Sequence, residues 1–296
     1  MGDLYMKPYN KKIDFLVILI AFLSTIIATV SLFYTKDFSA GDSIKTISGQ
    51  TINLYGRGVY KNDSLSMAVQ AKGQDLVTLF FGVPFLLYSV KLNKKETLLG
   101  RFLLTGALAY FLYTYTIYCF AESYNFLFIG YVAIMGLSFY AFVGCMTTFK
   151  LGRINENFNK KIPTKYLGIS NIIFALLIGL NWVRRLAPAE VGKYLDHYTT
   201  LPIQALDLGI VLPTIIFSAI MLMRRHSWGY LLTPIITFKG LTLLIALDAM
   251  IIFMIANGVE VAIADLTIFP LYTLVVAFNF YLIVKNIKDQ ENVAKD

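Results

Sequence analysis

Charge is scarce in this sequence. Asp, Glu, Lys and Arg together make up 15% of the 296 residues, against about 25% in a soluble domain. That deficit excludes a soluble globule, which would need a polar surface around its core. Cysteine and histidine are scarcer, with two of each. Cys119 and Cys145 are expected near opposite membrane faces, too far apart for a disulfide. His197 and His226 fall in connections on opposite sides, which excludes a paired-histidine metal site. No histidine lies within an apolar run, which argues against a bis-histidine haem bundle. The sequence has no CxxC, HExxH, GxSxG or P-loop. No metal or cofactor is therefore expected. Zinc-finger and RNA-recognition motifs are also missing, so the net charge of +8 is not read as a nucleic-acid footprint.

What is present is apolar, at 57% of residues, with a mean hydropathy of +0.65. The apolar residues gather into runs long enough to cross about 30 Å of hydrocarbon. These runs predict an all-α integral membrane protein, a helical bundle with eight spans at 13–33, 75–92, 102–120, 126–149, 166–184, 207–223, 229–256 and 266–285. The first run follows Lys7, Lys11 and Lys12 but is longer than a signal-peptide core and lacks a clean cleavage site. It reads as a retained span. Pro84, Pro213, Pro234 and Pro270 lie within or near the first turns of spans, where they are tolerated or kink the helix.

The connections on the N-terminal side of the membrane hold 17 of the 26 Lys and Arg residues and the opposite connections hold 8. By the positive-inside rule both termini are cytoplasmic. The cytoplasmic membrane of a prokaryote is the expected location, and the bilayer the expected partner. Residues 34–74 form a long external loop, expected to be ordered and to carry a short amphipathic piece at 65–69. The stretch 185–206 is a second long external segment.

A weak internal repeat runs through this single transmembrane domain. Gln74-Asp75-Leu76, an apolar span with a proline, a basic turn and Gly100 are echoed by Leu206-Asp207-Leu208, a span with a proline, a basic turn and Gly229. Phe128, Tyr131, Phe139 and Tyr140 match Phe269, Tyr272, Phe280 and Tyr281 at one constant offset. Residues 1–150 and 151–296 are thus expected to be two parallel four-helix units about a pseudo-twofold axis along the membrane normal.

The candidate site residues are the ionisable and phenolic groups in or beside spans. Asp75 and Asp207 are expected at the external N-terminal ends of their helices, either as caps or as facing carboxylates that bind a cation or share a proton. Glu122 shares a helix face with Tyr115, Tyr118 and Cys119, forming either an external polar pocket or an aromatic belt. Arg184 and Arg185 end span five externally, where they either reach headgroups or pair with Asp207, Glu122 or an anionic ligand. Lys239 and Asp248 lie inside span seven, where each charge costs about 2.5–3.5 kcal/mol. Nine residues apart, they face opposite sides of the helix. Lys239 either snorkels inward or meets a partner. Asn171, Asn181 and Asn279 are expected to bond between helices.

The stretch Gly58-Val59-Tyr60-Lys61-Asn62-Asp63-Ser64, with Gln74-Asp75-Leu76-Val77-Thr78-Leu79 and Tyr110-Phe111-Leu112-Tyr113, resembles a group of prokaryotic multi-pass membrane proteins with no established activity. The resemblance covers about residues 56–149, with a fainter echo near 204–230. It implies a prokaryotic cytoplasmic membrane and carries over no catalytic residue. The functional expectation is a permease or carrier that binds a small solute or lipid in a polar external pocket lined by spans two, three, six and seven. The alternatives are a ligand-sensing or accessory subunit and, third, an intramembrane enzyme acting on a lipid. Catalysis is the less favoured side of that choice.

Overall fold

Apolar runs of this length satisfy their backbone polar groups only as helices where no water is available. The computed structural model, which describes residues 11–36, 42–46, 49–188 and 191–288, forms eight helices long and apolar enough to cross a membrane. On length and composition the chain is a multi-pass membrane protein. The terminal segments 1–10 and 289–296, whose lysines enter the charge count, lie outside the described residues.

The chain begins with α1 (Lys11–Phe33), followed by a small antiparallel hairpin of β1 (Ser43–Lys45) and β2 (Thr51–Asn53). The second long helix is composite: α2 (Leu65–Val77), a π-helix at Thr78–Gly82, then α3 (Val83–Asn93). Next come α4 (Leu98–Phe120) and α5 (Phe128–Met146). They are followed by α6 (Thr164–Arg185), the short α7 (Val191–Leu195), a composite helix of α8 (Pro202–Leu206), a π-helix at Asp207–Val211 and α9 (Leu212–Met223), then α10 (Ser227–Ala256) and α11 (Ile263–Lys285).

The prolines explain the two π-helices. A proline ring clashes with the carbonyl four residues back and supplies no amide donor. Four residues before Pro84 and Pro213 are Phe80 and Gly209, each in the middle of a π-helix. The helix answers by taking one extra residue into that turn. Val83 N–H then reaches Thr78 O, and Leu212 N–H reaches Asp207 O, each five residues back.

Neighbouring features recur with the same offset. Glu96 (φ 56°) and Arg225 (φ 54°) both take left-handed backbone at the bend between helices. The next residues, Thr97 and His226, cap α4 and α10 through their side chains. Three residues on, a Cβ at Gly100 would fall 2.6 Å from Asn93 N, and one at Gly229 would fall 2.1 Å from Leu222 N. Only glycine lets the returning helix approach so closely. From the first π-helix to Gly100, every one of these features has its partner 129 residues later.

At the centre α4 packs against α3, α5 and α10, and α10 packs against α2, α4, α9 and α11. Gly106 lets α4 press on α10, since a Cβ there would meet Phe238 Cβ at 2.7 Å. A continuous buried core around Ile20, Leu86, Leu104, Phe111 and Ile134 joins α1, α3, α4 and α5. By contrast α6 and α11 present Ile173, Leu180, Leu274 and Phe278 outward, as lipid-facing surfaces do. These two helices meet through side chains: Phe174 against Tyr272, Asn279 donating to Ser170 at 3.0 Å, and an Arg185–Asp265 ion pair at 3.8 Å.

The expected spans all appear, but two begin earlier than hydropathy indicates. The second crossing starts at Leu65, because the expected amphipathic piece at 65–69 is the first part of α2, capped by Ser64 accepting from Met67 N–H. The sixth starts at Pro202. Asp75 and Asp207 are consequently not N-terminal caps; both lie inside their composite crossings.

Candidate functional site

Three polar clusters stand out, and two centre on the carboxylates just moved inward. Asp75 is fully buried. Tyr60 OH donates to its Oδ2 at 2.6 Å and Tyr118 OH to its Oδ1 at 2.9 Å. One turn deeper, Tyr110 OH meets Gln74 and lies 3.0 Å from Thr78 Oγ1. The missing side chain at Gly82 leaves room for that phenol, whose ring would lie 3.1 Å from an added Cβ. Tyr115, Tyr118 and Tyr131 interlock edge-on or tilted, with ring centroids 5.2–6.2 Å apart. The hydroxyls of Tyr115 and Tyr131 are buried with no hydrogen-bond partner among the described residues. The tyrosine stripe of α4 is therefore interior, not an interfacial belt.

Asp207, the first residue of the second π-helix, has two aromatic donors of its own: Tyr113 OH at 2.8 Å and Trp182 Nε1 at 2.8 Å. The Lys239 ammonium sits 3.9 Å from the centre of the Tyr113 ring. Both Asp207 and Lys239 are 9% exposed. Lys239 therefore does not snorkel to the membrane face; it stays inside, over an aromatic face that partly replaces its lost water. No salt bridge within 4.0 Å joins it to a carboxylate among the described residues.

Leu186, Leu201, Gln204 and Leu208 help to line a mainly apolar hollow of about 320 Å³. Of the spans expected to line a polar pocket, the second and third both pack on α10, and the Tyr113, Asp207 and Lys239 cluster brings the third, sixth and seventh together.

The third cluster is a cap on the face opposite the α1 N-terminus, where connections from both units meet. Ser64 Oγ donates to Asp196 at 2.6 Å. His197 Nε2 faces Asn62 O at 2.9 Å. Asp63 Oδ1 accepts from Ser123 N–H at 2.7 Å and Tyr198 OH at 2.8 Å. Burial pushes the Asp63 and Glu122 carboxyls above their usual range, and the Tyr60 and Tyr198 phenols above theirs. Glu122 ends up beside Asp63, with the Tyr118 phenol within reach of its charge.

The remaining candidates disperse. Arg185 pairs with Asp265 and stacks over Trp182 and Tyr194, while Arg184 bonds to Asn181 on its own helix. Among the described residues neither is seen to bond to Asp207 or Glu122. Asp248 accepts from Thr273 on α11 at 2.7 Å, on the side of α10 away from Lys239, as their spacing requires. No group of three metal-ligating side chains occurs among the described residues.

Sequence reasoning missed Tyr60, Asp63 and Trp182. Trp182 carried a signal, as one of only two tryptophans and at a helix end facing an unpaired acid. No family model, curated protein or solved structure matches the chain.

Proposed function

We propose that the chain is an integral membrane carrier for a small solute with an acidic group. It crosses the bilayer eight times, as two parallel four-helix units, with both termini cytoplasmic. The reading rests on one observation: Lys239 holds its ammonium inside the bundle over the Tyr113 ring, with no carboxylate within salt-bridge distance among the described residues. A charge buried in a membrane is maintained at a cost of a few kcal/mol and marks a pathway or a ligand. Asp207 acts on Lys239 through its charge from beyond salt-bridge distance while its oxygens are held by two donors, so the ammonium has a counter-charge but no direct ion pair, and an acidic group from outside would supply one.

The two π-broken crossings support the carrier reading, because such bulges favour functional positions. The 129-residue recurrence supports the two-unit reading and corrects its register. Counted from the π-helices, Asp207 falls at the position of Thr78 and not of Asp75. Asp75 and Asp207 are then one turn out of equivalence, and each takes its own aromatic donors instead of facing the other.

The test is thermal unfolding of the purified protein against small carboxylates, phosphates and sulfonates, followed by uptake into proteoliposomes. Wild type should show a saturable rise in midpoint with one acidic class. Lys239→Met should fold, because an apolar replacement removes a buried charge, and should lose that rise. If no acidic compound shifts wild type, or if the shift survives in Lys239→Met, the proposal is wrong.

A further inference from the structure

Two carboxyl oxygens in the cap have no donor. Asp63 is 1% exposed. Its Oδ1 is doubly satisfied, but its Oδ2 is buried with no partner among the described residues. Glu122 Oε2, from the end of α4, is orphaned in the same way. The two side chains are neighbours: Ser123, the residue after Glu122, donates its amide to Asp63 Oδ1 at 2.7 Å, and the Asp63 and Glu122 carboxyls lie within hydrogen-bond reach of each other. Two bare carboxylates cannot stay side by side out of water. A single proton on Glu122, donated to Asp63 Oδ2, would satisfy both oxygens at once.

We propose that Asp63 and Glu122 together bind one proton, and that this proton holds the cap closed. The surroundings decide which residue carries it. Asp63 has the Ser123 amide, the Tyr198 hydroxyl and the field of His197 in favour of its charged form. Glu122 faces the charges of Asp63 and Asp75, which favour its neutral form. The other groups turned toward the pair are phenols: Tyr60 from the loop before α2, Tyr118 from α4 and Tyr131 from α5. Lys72 on α2 acts on Asp75 and hydrogen-bonds Leu32 O at 3.1 Å.

The pair joins three segments. Asp63 belongs to the loop before α2, Glu122 and Ser123 to the turn after α4, and Tyr198 to the connection between α7 and α8 in the other unit. Without the proton, two like charges remain in a dry junction, and the least costly relief is for the segments to separate and admit water. This inference does not depend on the carrier reading, because it concerns closure of the cap whatever lies beneath.

The sign follows from linkage. A carboxyl whose pKa is raised by folding holds its proton more tightly in the folded chain. The stabilisation is complete below the ordinary glutamate value of about 4.3 and is lost as pH rises through the folded value.

Two measurements test this from about pH 5 to about pH 9. In wild type the unfolding midpoint should fall with rising pH. In a variant lacking the native cysteines, a cysteine placed at Asn62 should react faster with a soluble maleimide over the same range, once its rate is divided at each pH by that of a free cysteine to remove the thiolate fraction. Glu122→Gln supplies a permanent N–H donor to Asp63, so both responses should flatten. A normalised labelling rate that ignores pH in the Glu122 background overturns the proposal even if Glu122→Gln does not fold. So does a wild-type slope that persists in Glu122→Gln. If sodium or calcium raises the wild-type midpoint at fixed pH and Glu122→Gln abolishes the rise, the pair binds a metal cation and not a proton.

Discussion

Asp75 and Asp207 show how one residue type is held in two ways. Asp75 is sealed, with a phenol on each oxygen and no exposed surface. Asp207 keeps a little exposure and lies near the charge of Lys239. Removing the first should therefore be mainly a stability event. Asp75→Leu leaves the Tyr60 hydroxyl buried and unpaired, at a cost of about 1–3 kcal/mol, while Tyr118 OH keeps the Ala71 carbonyl at 3.2 Å. Asp75→Asn keeps one acceptor oxygen and a polar group for the second phenol, and should lose much less. Thermal unfolding of the two variants in the same detergent measures the gap; equal losses would mean that the phenols find other partners. The sequence marked Asp75 as special but misjudged why, because its donor Tyr60 comes from a loop fifteen positions upstream with no periodic relation to it. Lys239 and Asp248 were read correctly as diverging, since 3.6 residues per turn settles that within one helix.

At the scale of elements, the helices were legible and their interruptions only half so. Pro84 and Pro213 announced a disturbance, whereas Pro234 and Pro270 lie inside the unbroken α10 and α11. That the helix would widen into a π-turn instead of kinking depends on Thr78–Gly82 and Asp207–Val211 accepting five-residue hydrogen bonds, which no local pattern reveals. The glycines behind the bends make a sharper test. Gly100→Ala and Gly229→Ala both drive a Cβ into the backbone of the preceding helix, the second more severely. Both should be destabilising by about 1–3 kcal/mol, with Gly229→Ala the worse. Gly136, inside α5, has nothing within 4 Å of an added Cβ. Gly136→Ala should be neutral or stabilising by up to about 1 kcal/mol. Midpoints that fail to separate Gly136→Ala from the other two would mean the helix pairs are looser than described.

For the whole molecule, the eight long apolar helices were legible because length and hydropathy are additive along the chain. The proposed orientation, with both termini cytoplasmic, predicts that a cysteine at Lys94 is shielded from an impermeant maleimide in intact cells and reacts after permeabilisation, whereas one at Lys61 reacts in intact cells. The same side for both residues would break the eight-crossing arrangement. The cap was not legible, since Ser64 and Asp196 are 132 positions apart and meet only through the packing of the two units. The mainly apolar hollow near Gln204 was missed for the same reason.

The π-helices have one more consequence. A five-residue turn in an otherwise regular helix is a dislocation, and here each dislocation is pinned by the proline that follows it. One extra residue adds about 100° of rotation. The faces of α3 and α9 are thereby reset in phase against the helical pieces that precede them, and a single ring at Pro84 or Pro213 keeps that phase locked.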